Sequence, residues 1–294
     1  MVLNVINWNV NPVALSLGPL QIRWYGILWA LGFLLGYLMM KRVYKREKMP
    51  DNSLDNLLIY MLASTIIGAR LGHCLFYEPE YYLAHPLKML AIWEGGLASH
   101  GGAIGILIGL WIYARRVKKP YIWILDRIVM PISLVGALIR IGNLMNSEIY
   151  GMPTSLPWGF RFLRGQEQFC GTFDNYTACC PLNGCCPPTE WLPCHPTGIY
   201  EALFCLLVLV VLLWLYYKKD MGDKQPGLML GLFMIVVFGS RIAIEFLKNV
   251  QVDFERNMFL DMGQWLSVPF VITGIAIWIW SARKRKKHES FMSK

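Results

Sequence analysis

Two arginines, Arg140 and Arg241, lie deep inside long apolar runs of this sequence. A charge at such a depth costs at least about 2.5 kcal/mol on membrane-insertion scales, so it normally faces a protein interior or a cavity and has a function there. The planar guanidinium fork matches the oxygens of a phosphate group. In a chain this apolar, the phosphate at hand is that of a phospholipid. The arginine pair therefore predicts a phospholipid site.

Other polar residues lie at a similar depth in the neighbouring apolar runs. At about 1.5 Å of rise per residue, Arg70, Arg140 and Arg241 lie about 10 Å below the outer ends of their helices. His100 lies about 5 Å below the outer end of its helix. The set consists of Tyr25, Arg70, His100, Arg140, Tyr200, Glu201 and Arg241. One band of polar side chains from several helices predicts a cavity that opens to lipid in the outer half of the bilayer.

Several of these residues also have a purely structural interpretation. Arg241 and Glu245 are four residues apart on a helix, the spacing at which opposite charges neutralise each other. Arg70 and His73 have the spacing of a structural hydrogen-bonding pair. Gly105 and Gly109, which follow His100, are typical of close helix packing.

The polar residues after Arg140 predict where its helix ends. At about 100° per residue, Arg140, Asn143 and Ser147 share one face, whereas Asn146 points nearly opposite. For Asn146 to serve the site, the helix must unwind around it. The alternative is that Asn146 and Glu148 begin a solvated segment.

Composition defines the elements that must position these residues. Of the 294 residues, 55% are apolar and 16% are charged, where a soluble chain carries about 25% charged residues. Seven apolar runs are long enough to span a bilayer as helices. They are Gln21–Met40, Leu54–Tyr77, Leu97–Ala114, Ile122–Met145, Gly198–Tyr217, Gly227–Leu247 and Trp265–Ala282. We predict an all-α integral membrane protein with seven transmembrane helices.

The basic residues predict its orientation. Most of the 28 Lys and Arg residues lie in Lys41–Lys48, Arg115–Lys119, Lys218–Lys224 and the tail from Arg283, on one side of a seven-helix arrangement. The positive-inside rule makes that side cytoplasmic, with the N-terminus outside. The net charge of +9 therefore reflects topology, and we expect no nucleic-acid partner.

A segment on the outer side, residues 146–197, holds six of the eight cysteines. We predict that it forms a small extracytoplasmic head inserted between helices 4 and 5 of a single membrane domain, residues 1–294. Closely spaced cysteines outside the cytoplasm favour disulfides, while the paired cysteines and His195 leave metal binding open. The six are Cys170, Cys179, Cys180, Cys185, Cys186 and Cys194. Cys74 and Cys205 are predicted to be packing residues.

Several separate motifs occur along the chain in one order. They are Arg23–Gly26, Trp93–Gly102, Arg140–Gly151, His195–Glu201 and Arg241–Phe246. On these motifs the chain resembles the prolipoprotein diacylglyceryl transferase family nearly end to end. It departs from the usual family signature at Ile139 and Leu144, where Gly and Phe are expected, and in its cysteine-rich insertion.

This resemblance implies a reaction and its setting. A diacylglyceryl group moves from phosphatidylglycerol to the thiol of the lipobox cysteine that follows a prolipoprotein signal peptide. A thioether forms and glycerol 1-phosphate leaves, with no metal or cofactor. The resemblance implies a multi-pass protein of the bacterial cytoplasmic (inner) membrane whose active site faces the outer leaflet and membrane lipids.

The resemblance also implies roles for individual residues. His100 becomes the general base, Arg140 and Arg241 stabilise the leaving phosphate, and Tyr25 orients a reactant. The expected phosphatidylglycerol-binding residues are Arg70, Arg140, Asn143, Asn146, Glu148, Gly151, Tyr200, Glu201, Arg241 and Glu245.

Other function classes fit the residues less well. A transporter or channel would place polar residues along a path through the membrane, whereas these lie at one depth. A membrane thiol oxidoreductase would use the cysteine-rich segment but predicts a CxxC pair, and the sequence has only adjacent pairs. Another kind of phospholipid-binding membrane protein is the remaining alternative.

Overall fold

The computed structural model of this protein describes residues 5–165, 168–179, 187, 190–248 and 260–292. This part of the chain is mostly helical. The α-helices are α1 (Trp24–Arg46), α2 (Ser53–Phe76), α3 (Pro79–Ala84), α4 (Ser99–Arg116), α5 (Tyr121–Met145), α6 (Thr197–Lys219), α7 (Met221–Lys224), α8 (Leu228–Glu245) and α9 (Met262–Met292). Two short 3₁₀ helices, Pro86–Leu90 and Ile92–Glu94, lie between α3 and α4.

Six of the described helices are long and apolar enough to cross a membrane. They are α1, α2, α5, α6, α8 and the Met262–Arg285 part of α9. The predicted span Leu97–Ala114 corresponds to α4, an 18-residue helix that is not among the six. Its sequence begins with Ser99, His100 and two glycines and ends with two arginines, which lowers its apolar content.

The start of the first predicted span was wrong. Residues Leu20–Arg23 form strand β3, which pairs antiparallel with β2 (Val13–Leu17), and α1 begins only at Trp24. The alternation of Leu20, Gln21, Ile22 and Arg23 is typical of a strand. Because these residues directly precede an apolar helix, the prediction began the helix at Gln21.

Strands also occur in the 146–197 segment, so an all-α description is incomplete. β4 (Phe160–Phe162) pairs in parallel with the N-terminal β1 (Ile6–Trp8). β5 (Gln168–Thr172) and β6 (Asn175–Cys179) form an antiparallel hairpin. The segment packs around a small core made of Leu144, Phe160, Phe162, Phe169 and Cys194.

The chain divides into two compact units, one of residues 1–38 and 128–294 and the other of residues 39–127. In the second unit, glycines set the packing of α2 against α4. A Cβ atom on Gly68 would meet the backbone of Gly101 and Gly105, and one on Gly109 would meet Ser64. The packing interpretation of Gly105 and Gly109 is thus confirmed, since small residues let two helix backbones approach closely.

In the first unit, close contacts join its helices in pairs. Gly36 of α1 faces the ring of Pro131 in α5. Phe238 of α8 stacks on Phe270 of α9 with ring centroids 4.4 Å apart. The indole of Trp8 donates a 2.9 Å hydrogen bond to the carbonyl of Leu144, the next-to-last residue of α5. The first two contacts join the helices away from their ends, and the third holds the C-terminal end of α5.

Candidate active site

Arg140, near the C-terminal end of α5, pairs with a carboxylate of α6. Its Nε atom lies 2.7 Å from Oε2 of Glu201, and the side chains are 22% and 7% exposed. Oε2 has no aligned hydrogen bond in the described chain, so the contact is an ion pair without hydrogen-bond geometry. The approach of the two helices is close, because a Cβ on Gly198 would lie 3.1 Å from the carbonyl of Arg140.

Lys248 extends this pair into a buried network. Its Nζ atom lies 2.8 Å from Oε1 of Glu201 and 3.1 Å from Oε2 of Glu245. The four charges alternate from Arg140 through Glu201 and Lys248 to Glu245, so their sum is zero. Removing one partner from a buried pair costs about 3–5 kcal/mol, because an uncompensated charge remains.

In this network Glu245 is not the partner of Arg241. In the described chain Glu245 pairs with Lys248, so the alternative in which Glu245 neutralises Arg241 was wrong. The Nε atom of Arg241 is buried and has no hydrogen-bond partner among the described residues. A buried donor of this kind is costly unless something accepts from it.

Arg140 and Arg241 line one cavity of about 160 Å³. It lies between α5, α6 and α8 and combines two guanidinium groups and one carboxylate with an apolar wall. Its lining residues are Ile132, Ser133, Gly136, Arg140, Glu201, Cys205, Phe233, Val237, Phe238, Ser240 and Arg241. A cavity with cationic groups and apolar walls suits an anionic head with attached hydrocarbon.

Asn143 lies in the last turn of α5, and Asn146 and Glu148 lie in the turn that follows the helix. The helix ends at Met145, so Asn146 lies just outside it, which is compatible with either interpretation of Asn146. Ser147 and Ile149 both have φ +55°, a left-handed conformation that is rare for a β-branched residue. Nδ2 of Asn143 lies 3.5 Å from Oε2 of Glu148, and the Oδ1 atom of Asn146 is buried without a partner in the described chain.

Three segments meet at Gly151 and fix this turn. The amide of Gly151 donates to the carbonyl of His195 at 2.8 Å, and the amide of Met152 donates to that of Leu247 at 2.8 Å. A Cβ on Gly151 would collide with Leu247, Thr197 and His195. Glycine is required here by close packing, whatever its part in binding lipid. The fully buried hydroxyl of Thr197 donates to the carbonyl of Ile149 at 2.6 Å.

The two expected tyrosines have different surroundings. Tyr25 lies against Gly142, where a Cβ would touch its ring. The hydroxyl of Tyr200 accepts from the indole of Trp158 at 2.9 Å and lies 3.2 Å from Nδ1 of His195. Burial lowers the pKa of His195 and so favours its neutral form.

Arg70 and His100 belong to the other compact unit, residues 39–127. Arg70 is 3% exposed, and its guanidinium donates to the carbonyls of Lys88, Met89, Gly95 and Gly96. The partners of Arg70 are therefore backbone carbonyls of the loop between α3 and α4, and the alternative of a hydrogen bond to His73 was wrong. His100 is exposed in the first turn of α4, closer to the helix end than the predicted 5 Å.

The described cysteines include both disulfide-bonded and free residues. Cys170 is disulfide-bonded, whereas Cys74, Cys194 and Cys205 are free. The expectation that Cys194 joins the disulfides was therefore wrong, and burial raises the pKa of its thiol to about 12. Cys180, Cys185 and Cys186 lie outside the described residues, as does the side chain of Cys179. The described residues contain no cluster of three His, Cys, Asp or Glu side chains suited to a metal.

Comparison with known proteins identifies the family. The family model described as prolipoprotein diacylglyceryl transferase matches residues 12–280. This chain belongs to that family.

Individual members of the prolipoprotein diacylglyceryl transferase family are similar over almost the whole chain. The phosphatidylglycerol–prolipoprotein diacylglyceryl transferase of Tolumonas auensis is 43% identical over 281 residues, covering 95% of this chain and 99% of the relative. The proteins of the same name from Porphyromonas gingivalis and Chloroherpeton thalassium are 46% and 44% identical and cover 92% of this chain and 92% of each relative.

Sequence reasoning missed one member of the site in this transferase. Lys248 was expected in an outer connection, because the apolar run ends one residue before it. The signal that would have found it is its spacing of three residues from Glu245, which lets the two side chains meet on one helical turn. Local sequence does not show that α6 brings Glu201 next to Lys248.

Proposed function

We propose that this protein transfers the diacylglyceryl group of phosphatidylglycerol to the lipobox cysteine of prolipoproteins. One observation carries the proposal beyond family membership: two arginines line one cavity, and one of them has a buried donor without a partner among the described residues. That arrangement fits a phosphate, whose oxygens accept from planar guanidinium groups.

The chemistry is a displacement at the glyceryl carbon bonded to phosphate oxygen. The sulfur of the acceptor cysteine forms a C–S bond while the C–O bond breaks, and glycerol 1-phosphate carries away the bonding electrons. The phosphate gains negative charge in this step. Two fixed cations therefore stabilise the transition state more than the bound lipid, which is the condition for catalysis.

The remaining site residues have supporting roles in this proposal. His100 takes the thiol proton, since a thiol in apolar surroundings is a poor nucleophile without a base. Tyr25 and Tyr200 orient the reactants, and Asn143, Asn146, Glu148 and Gly151 shape the headgroup pocket. Glu201 and Glu245 hold the cations in place, and Arg70 acts by ordering its loop rather than by contacting lipid. No metal or cofactor takes part.

The proposed setting is the bacterial inner membrane, with seven crossings and the site toward the outer leaflet. The 18 residues of α4 would span about 27 Å, close to the hydrocarbon thickness of a bilayer. Basic residues in the last turns of α1, α4 and α6 support a cytoplasmic location for those helix ends. The 146–197 segment is then an extracytoplasmic head.

Mass spectrometry of an acceptor peptide tests the proposal. The purified protein is incubated with phosphatidylglycerol and a peptide that carries a lipobox cysteine. We expect a mass gain of one diacylglyceryl group on that cysteine, and none on a peptide with serine in its place or with phosphatidylethanolamine as the lipid. A folded protein that adds no lipid to the cysteine would overturn the assignment.

A further inference from the structure

Lys248 is a buried cation held between two buried carboxylates. Its side chain is 4% exposed, and its ammonium contacts Glu201 at 2.8 Å and Glu245 at 3.1 Å. Lysine is among the residues least often buried, and burial without partners would favour its neutral form. Here a carboxylate oxygen of each partner lies within ion-pair distance of the Lys248 ammonium.

The backbone around Lys248 is fixed as well. Its amide donates to the carbonyl of Glu245 at 3.0 Å, and it forms an isolated bridge with Gly151. Its neighbour Leu247 accepts from the amide of Met152 at 2.8 Å. The backbone of Lys248 is thus held by the C-terminal end of α8 and by the turn that follows α5.

Glu201 has two oxygens and divides them between two cations. Oε1 contacts Lys248 at 2.8 Å, and Oε2 lies 2.7 Å from Nε of Arg140. A carboxylate that paired with Arg140 alone would neutralise it and compete with any anion for its donors. Because Lys248 shares the charge of Glu201, Arg140 keeps positive charge to offer to the cavity.

We propose that Lys248 is a positioning residue for the transfer reaction. It shares the charge of Glu201, so that Arg140, although paired with that carboxylate through Nε, keeps positive charge with which to bind the phosphate. This inference rests on the proposed function. It assigns Lys248 a task distinct from that of Arg241, which lines the cavity and addresses the phosphate directly.

Charge-balancing variants test this assignment. Lys248→Met should weaken phosphatidylglycerol binding about 10-fold, because Glu201 then occupies Arg140 fully. The double variant K248M/E201Q should recover part of the affinity that K248M loses, since a neutral amide does not compete for the guanidinium but also no longer pairs with Arg140. Lys248→Arg should stay within about 3-fold of wild type.

Affinity is measured directly, by titrating phosphatidylglycerol into the purified protein, and KM and kcat are measured in the peptide assay. A purely structural lysine would lower the melting temperature in K248M but leave the lipid affinity of the folded protein unchanged. If K248M does not fold, Lys248→Gln replaces it, because glutamine keeps a donor and loses the charge.

The outcomes separate this inference from the proposed function. Equal lipid affinity of wild type and K248M, or a loss that E201Q does not lessen, would overturn the role of Lys248. Lipid binding that follows the predicted pattern without transfer by wild type would overturn the proposed reaction and leave the charge balance standing. A wild-type protein that does not bind phosphatidylglycerol would overturn both.

Discussion

Arg140 and Arg241 differ in how their guanidinium groups are occupied. Nε of Arg140 is engaged by Glu201, whereas Nε of Arg241 has no partner in the described part of the chain. Both line the same cavity. An anion that enters it therefore meets one restrained guanidinium and one with an available donor. A phosphate bound there would satisfy the hydrogen bonding of Arg241.

The planar fork, and not charge alone, should decide activity at these two positions. We expect Arg140→Lys and Arg241→Lys each to lower kcat/KM for phosphatidylglycerol about 100-fold, because an ammonium cannot make two parallel hydrogen bonds to a phosphate. Steady-state transfer to a lipobox peptide measures the effect. The matched control is Arg164→Lys. Arg164 is an exposed residue of the 146–197 segment and donates a hydrogen bond to Asn9. Lysine variants as active as that control would contradict the role of the fork.

At the scale of elements, the site depends on a strained turn. Ile149 has a left-handed backbone, which costs about 1–2 kcal/mol for an L-residue with a Cβ. Such strain persists only where the surroundings over-determine it. Here the hydroxyl of Thr197 holds the carbonyl of Ile149, and the bridges at Gly151 and Met152 hold the chain just beyond it. The start of α6 thus fixes the turn that carries Asn146 and Glu148.

Removal of the Thr197 hydroxyl should release this turn. Thr197→Val keeps the shape but leaves a buried carbonyl without its donor, at a cost of about 1–3 kcal/mol in stability. We expect a lower melting temperature and a KM for phosphatidylglycerol raised several-fold. Thr197→Ser keeps the hydroxyl and should restore both values nearly to wild type. If valine changed neither the melting temperature nor KM, Thr197 would not be what holds the turn.

Local sequence predicted the long helices well and the short strands poorly. The expected Leu54–Tyr77 and Gly198–Tyr217 match α2 and α6 closely, because a long apolar run is a strong signal. α9 extends beyond the expected Trp265–Ala282, since Lys and Arg are good helix formers and continue it. Strand β1 pairs with β4, whose partners Asn7 and Arg161 are far apart in sequence. A three-residue strand has no periodicity from which such a pairing could be predicted.

At the scale of the whole molecule, the sequence singled out three residues that line one cavity, but it did not show which charged side chains pair with one another. Arg140, Glu201 and Arg241 were expected together, and they line one cavity. The identity of each ion pair depends on which helices meet, so Lys248 and the true partner of Glu245 emerged only from the fold. Arg70 was expected to bind lipid because it lies in an apolar run at the depth of the other polar side chains. Its carbonyl partners come from a loop whose path the sequence does not specify.

In the proposed reaction, the phosphate of phosphatidylglycerol lies between Arg140 and Arg241. A phosphatidylglycerol analogue with a photoreactive diazirine on its headgroup glycerol tests this directly, with the cross-linked peptides located by mass spectrometry. We expect labels in α5 around Ser133–Arg140 and in α8 around Phe233–Arg241, suppressed by excess phosphatidylglycerol and by Arg241→Ala. Labels confined to other segments, or labelling of these two helices that Arg241→Ala leaves unchanged, would contradict it.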